Sequence, residues 1–86
     1  MPSPRFTFAK RHLPHLKLDQ PWYRPLATFP SFKLAWDNAN NMFTECGYEV
    51  IGCAYDPGTG SEPPEADFTV VKDRTIEEYR IAIEGV

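Results

Sequence analysis

Long apolar runs are missing from this chain. Nowhere in its 86 residues do apolar side chains approach the ~20 in succession that a membrane-spanning helix needs, so no membrane association is expected. The opening Met1-Pro2-Ser3-Pro4-Arg5 also lacks the apolar stretch of a secretory signal, and the expected location is the cytoplasm. Cysteine is scarce: Cys46 and Cys53 are the only two. Too few for a disulfide framework, and reduced in that compartment, they are expected to act as small apolar core residues. No internal repeat or low-complexity tract is present.

Recognisable chemistry is lacking as well. His12, His15, Cys46 and Cys53 are the classical zinc donors available. The cysteines are too far apart for the close pairing of a zinc knuckle, and Pro14 keeps the two histidines off one helical face. A Cys–His nucleophilic pair has no local support, because neither thiol sits at a helix N-terminus, where a thiolate is favoured. Gly58-Thr59-Gly60-Ser61 resembles a piece of a phosphate loop. No lysine closes it, and Glu62, Glu65 and Asp67 would repel a phosphate. No catalytic residue, metal ligand or cofactor is therefore expected.

What the chain does contain is a core's worth of apolar residues. Hydrophobic residues make up 42% and charged residues 24%, close to globular averages. Aromatic residues reach 14%, which gives a small core a large buried area per residue. The length predicts one domain spanning residues 1–86. Within it, residues 1–30 form a proline-rich basic arm with short strands, and residues 31–86 form a helix plus a β-meander core.

Charge is divided along the chain. Residues 1–35 carry Arg5, Lys10, Arg11, Lys17, Arg24 and Lys33 against Asp19, a balance of +5; residues 36–86 balance at −8, for a net charge of −3. Such asymmetry speaks to partners and steering, not to fold.

Local patterns set the expected elements. Arg5–Ala9 alternates as a short strand with Phe6 and Phe8 on one face. Lys10–Arg24 reads as an irregular extended arm, and Leu26–Phe29 as a second short strand ending at Pro30. A helix is predicted from Phe32 to Cys46, with Ser31 as N-cap and Gly47 at the left-handed C-terminal position. Its apolar face is Phe32, Ala35, Trp36, Ala39, Met42, Phe43 and Cys46. Tyr48–Tyr55 is rich in strand formers and apolar on both faces, the composition of an interior strand. A turn follows at Asp56-Pro57-Gly58, then a loop to Asp67, then a strand at Phe68–Lys72. The C-terminus reads as a strand with Tyr79, Ile81 and Ile83 on one face; a helix from Thr75 is the alternative, on the capping-box match of Thr75 to Glu78. The fold class is α+β: one amphipathic helix on a small, mostly antiparallel sheet in the order β-β-α-β-β-β.

Two surfaces qualify as partner sites. On the basic side, Arg5, Lys10, Arg11 and Arg24 interleave with aromatics, and Trp22-Tyr23-Arg24 combines the residue types that dominate interfaces in a segment stiffened by Pro21 and Pro25. On the acidic side, Glu62, Glu65 and Asp67, with Glu77 and Glu78 near, offer carboxylates to a basic surface. The expected function is a small non-enzymatic protein-interaction module, an inhibitor or accessory protein of the kind viruses and mobile elements deploy. Nucleic-acid binding by the basic aromatic arm is the second choice, and a small Cys/His enzyme or metal protein the third. Basic arm on acidic patch would also permit a homodimer.

Overall fold

In the computed structural model, which describes residues 5–12 and 22–84 (the side chains of His12 and Trp22 excepted), one helix packs on a five-stranded sheet. The elements are β1 (Phe6–His12), β2 (Trp22–Phe29), α1 (Phe32–Glu45), β3 (Glu49–Asp56), β4 (Glu65–Lys72) and β5 (Thr75–Ile83). The sheet order is β2-β1-β5-β4-β3, and every neighbouring pair is antiparallel. The predicted α+β class and element order are both observed.

The helix begins where a side chain can cap it. The Ser31 hydroxyl accepts from the Leu34 amide at 3.2 Å, satisfying one of the free first-turn donors. It ends at Gly47, whose φ of +78° needs no Cβ accommodation. Ala35, Ala39 and Phe43 face the sheet fully buried, with Phe32, Trp36 and Met42 beside them. Cys46, expected on that face, is exposed, because the apolar stripe runs out with the last helical turn.

The sheet supplies the other half of the core through strict alternation. Phe6 and Phe8 on β1, Ala66, Phe68 and Val70 on β4, and Tyr79 and Ile81 on β5 point at the helix and are buried. The C-terminus is a strand, not a helix. Its alternation places Tyr79 and Ile81 in the core, and a two-residue turn at Asp73-Arg74 pairs it with β4.

Both turn residues have positive φ, 50° and 67°, the signature of a type I′ hairpin turn, where glycine is preferred at the second position. Arg74→Gly is therefore expected to stabilise the protein by about 0.5–1 kcal/mol, net of the freedom glycine adds to the unfolded chain. Thermal unfolding checks this: the expected rise in Tm is about 2–8 °C.

Three expectations are corrected. The irregular arm is largely strand: β1 continues through Lys10 and Arg11 to His12, and β2 starts at Trp22, so the two flank each other as a hairpin. Pro25 is tolerated because β2 is an edge strand with an irregularity opposite Phe8/Ala9. Lys17 and residues 13–21 lie outside the described residues. Second, β3 is not interior but the opposite edge of the sheet. Third, Cys53 rides on β3 and is exposed, not a core thiol.

The helix packs across the sheet, against β2, β1 and β5 and also against β3, and β3 keeps an outer edge with no further strand beyond it among the described residues. Seven of the eight β3 residues are exposed and Gly52 is intermediate.

Candidate functional site

Two surfaces carry side chains with chemistry. The first is the sheet face turned away from the helix. There Arg11 donates to Glu78 at 2.7 Å and Arg80 to Asp67 at 2.8 Å, and the Arg80 guanidinium lies 4.6 Å from the Tyr23 ring centroid. Asp67 holds the guanidinium of Arg80 above its ordinary pKa, chiefly through that hydrogen bond. These residues surround a depression of about 190 Å³. Its two cations and two carboxylates cancel, so it presents no net charge to an anion. The pairs are more than a third exposed on at least one side, which places each near the ~1 kcal/mol ceiling for surface ion pairs or below it. The lattice they form keeps the bare face of the sheet wetted, as an antiparallel sheet with one free face requires.

On the helix side, beyond Phe43, lies a smaller polar cluster. Glu77 accepts from Lys10 and from the Tyr79 hydroxyl, each at 2.9 Å. Desolvation pushes the Glu77 carboxyl up, but hydrogen bonds from Lys10, Tyr48 and Tyr79 outweigh it, and its pKa lies below the ordinary 4.5. Burial, then the Glu77 hydrogen bond, drives the Tyr79 phenol strongly upward. A depressed carboxylate pKa stabilises the fold above the unfolded-state value and loses that contribution as pH falls through the folded value. Glu77→Gln should flatten the loss of stability as pH is lowered from 4.5, measured by urea unfolding across that range. A wild-type slope retained in the variant would remove Glu77 from the acid response.

The second surface is the β3 edge. Pairing with β4 sets its two faces. Gly52, Ala54 and Asp56 lie opposite Thr69, Asp67 and Glu65, and Glu49 lies opposite Val71, all on the open face of the sheet. Val50, Cys53 and Tyr55 lie opposite Val70, Phe68 and Ala66, on the helix side. Ile51 is the unpaired residue of a bulge. Val50, Ile51 and Tyr55 are 41%, 53% and 54% exposed. Tyr55 also packs on Phe32 and Trp36, with ring centroids 5.7 Å from each, and these aromatics border an apolar groove of about 250 Å³. The Cys53 thiol is pushed up by partial burial and by the nearby Asp67 charge, which disfavours a nucleophilic thiolate.

Comparison with protein-family models, curated proteins and solved structures returns no match.

The predicted site residues do not form one surface. Tyr23, Arg11 and Asp67 meet around the open-face depression. Lys10 projects to the other face, where Glu77 holds it, and Arg24, opposite Lys10 in the register, is exposed. Arg5 is exposed, and its carbonyl accepts from the Glu84 amide at 2.7 Å. Only the backbone of Trp22 is described. Glu62 and Glu65 are exposed and form no ion pair among the described residues. The fold thus sets β1 against β5 and pairs Lys10 and Arg11 within the chain, while Arg5 and Arg24 stay exposed.

Sequence reasoning passed over the β3 edge. A signal was there: between Lys33 and Lys72 the chain holds no Lys, Arg or His, while Asp37, Glu45, Glu49, Asp56, Glu62, Glu65 and Asp67 fall within it. Of the two cations that bound the stretch, Lys33 lines the groove beside Phe32, Trp36 and Tyr55 and pairs with Asp37, and Lys72 sits 5.4 Å over the Tyr48 ring. Among the described residues, no group of three or more His, Cys, Asp or Glu is placed to hold a metal, and no helix is long and apolar enough to cross a membrane.

Proposed function

We infer that this chain is a protein-interaction module, non-enzymatic, that occupies a surface on a larger partner through its β3 edge. One observation carries the reading: an edge strand, with no further strand beyond it among the described residues, on which Val50, Ile51 and Tyr55 stand exposed, Tyr55 packing on Phe32 and Trp36. Edges left open in this way template pairing with another chain, and proteins ordinarily blunt them. Here the bulge at Ile51 interrupts the edge but leaves Gly52–Asp56 regular, a length close to the commonest strand. An inhibitor or accessory role fits a chain that offers such a surface and no catalytic constellation among its described residues.

The nucleic-acid alternative loses ground because Lys10 and Arg11 are already paired with Glu77 and Glu78, and the exposed edge is acidic, which repels phosphates. Affinity capture with quantitative mass spectrometry compares the surfaces directly. A stoichiometric protein recovered with the wild type should be lost with Val50→Glu plus Tyr55→Glu and kept with Arg24→Ala. The reverse pattern would move the contact to the β1–β2 hairpin and overturn the assignment to β3.

A further inference from the structure

Building on that reading, we propose that the β3 edge takes up an extended segment of its partner whose side chains alternate apolar and basic, adding a further antiparallel or parallel strand to the sheet. The chemistry of the segment follows from how β3 divides its two faces. On the helix side stand Val50, Cys53 and Tyr55, with Phe32 and Trp36 packed on Tyr55. A strand laid alongside presents every second side chain to this apolar wall. On the open face the edge itself is nearly bare, since Gly52 has no side chain and Ala54 only a methyl group. Long side chains from an added strand fit over these two positions. What they reach is Asp67, opposite Ala54, and the Asp56–Glu65 pair at the end of the strand, with Glu49 at its beginning. Among the described residues only Asp67 of this set has a cationic partner. Lysine or arginine at alternate positions therefore meets unneutralised carboxylates, and charge complementarity across a strand pair favours that match.

A second copy of the chain fits less well. Self-pairing of β3 brings Glu49 and Asp56 of one copy against acids of the other whether the strands run parallel or antiparallel, and like charges on facing strands are destabilising. The other edge, β2, carries its cation Arg24 in register with Lys10, on the helix side of the sheet, which is the wrong face for the acids of β3. The acidic margin thus discourages assembly of this chain with itself while inviting a basic strand from elsewhere.

The test uses the full chain and short capped peptides, with binding followed by fluorescence polarisation. An alternating lysine–valine peptide should bind, lose affinity as salt is raised, and bind about tenfold more weakly to Asp56→Lys plus Glu65→Lys. Both positions are exposed, so that variant should fold. Equal binding of an alternating glutamate–valine peptide would overturn the basic specificity while leaving β3 as a docking strand. Equal binding of a scrambled lysine–valine peptide would reduce the effect to bulk charge and overturn the strand pairing. No binding by the alternating basic peptide overturns the proposal outright, as does a dimer in analytical ultracentrifugation that Tyr55→Glu dissociates. If the Val50/Tyr55 variant also retains its captured partner, the interaction reading at β3 fails separately.

Discussion

Phe43→Ala is expected to destabilise the protein by about 3–5 kcal/mol, the range for removing a buried aromatic from a core. The ring is 1% exposed and lies at the centre of the aromatic cluster. Its centroid is 5.2 Å from Tyr79, 5.4 Å from Phe68, 6.0 Å from Phe8 and 6.3 Å from Tyr48. These neighbours come from β5, β4, β1 and the segment after the helix, so none can follow the others into the void without dragging its own strand. Limited relaxation leaves a cavity, and the cavity adds to the lost transfer energy. For a chain of this length, stability of about 5–10 kcal/mol is ordinary, so the variant should stand close to unfolding at room temperature. Urea denaturation should show a sharply lower midpoint at an unchanged m-value. A loss under about 1 kcal/mol would mean that the helix does not seat on the sheet as described.

Tyr55→Asp should behave in the opposite way, leaving the free protein nearly intact and disabling it as a binder. The side chain is 54% exposed in the free protein. An aromatic buries about 150–250 Å² when fully enclosed, so the share still open to a partner is roughly 100 Å². At about 25 cal/mol per Å² this corresponds to roughly 2.5 kcal/mol, or about a hundredfold in affinity. The cost to folding is limited to contacts with Phe32 and Trp36 at the rim of the core, about 1 kcal/mol. Parallel measurement of unfolding and of partner affinity separates the two effects. A variant that unfolds but still binds when folded would remove Tyr55 from the interface.

Much of the fold was legible because its local and global signals agree. Ser31 and Gly47 bound the helix through capping chemistry that needs no tertiary information, and the alternation of Tyr79 and Ile81 identified β5 against a competing capping-box match. The misreadings share a physical cause. Apolarity on both faces of β3 is the composition of an interior strand, but which strand ends a sheet follows from strand order, a long-range property that local composition does not carry. Cys53 was expected in the core as a reduced, small apolar residue, and its place on this edge strand exposes it instead. On the basic side, Pro21 and Pro25 argued for an irregular arm, because the tolerance of an edge strand for proline depends on sheet order, a long-range property. Lys10 and Arg11 looked available until the pairing of β1 with β5 set them on Glu77 and Glu78. The acidic loop was legible as exposed, but its relation to the edge was not, since Glu65 meets Asp56 only through the register of β3 on β4.

Amide hydrogen exchange across Gly52–Asp56, with and without the alternating lysine–valine peptide, tests the open edge most directly. In the free protein, the β3 amides directed away from β4 should exchange rapidly while those bonded to β4 are protected, and the peptide should slow the outward set. Outward amides already protected in the free monomer, or peptide-induced protection confined to β2, would show that the sheet does not present β3 as its binding edge.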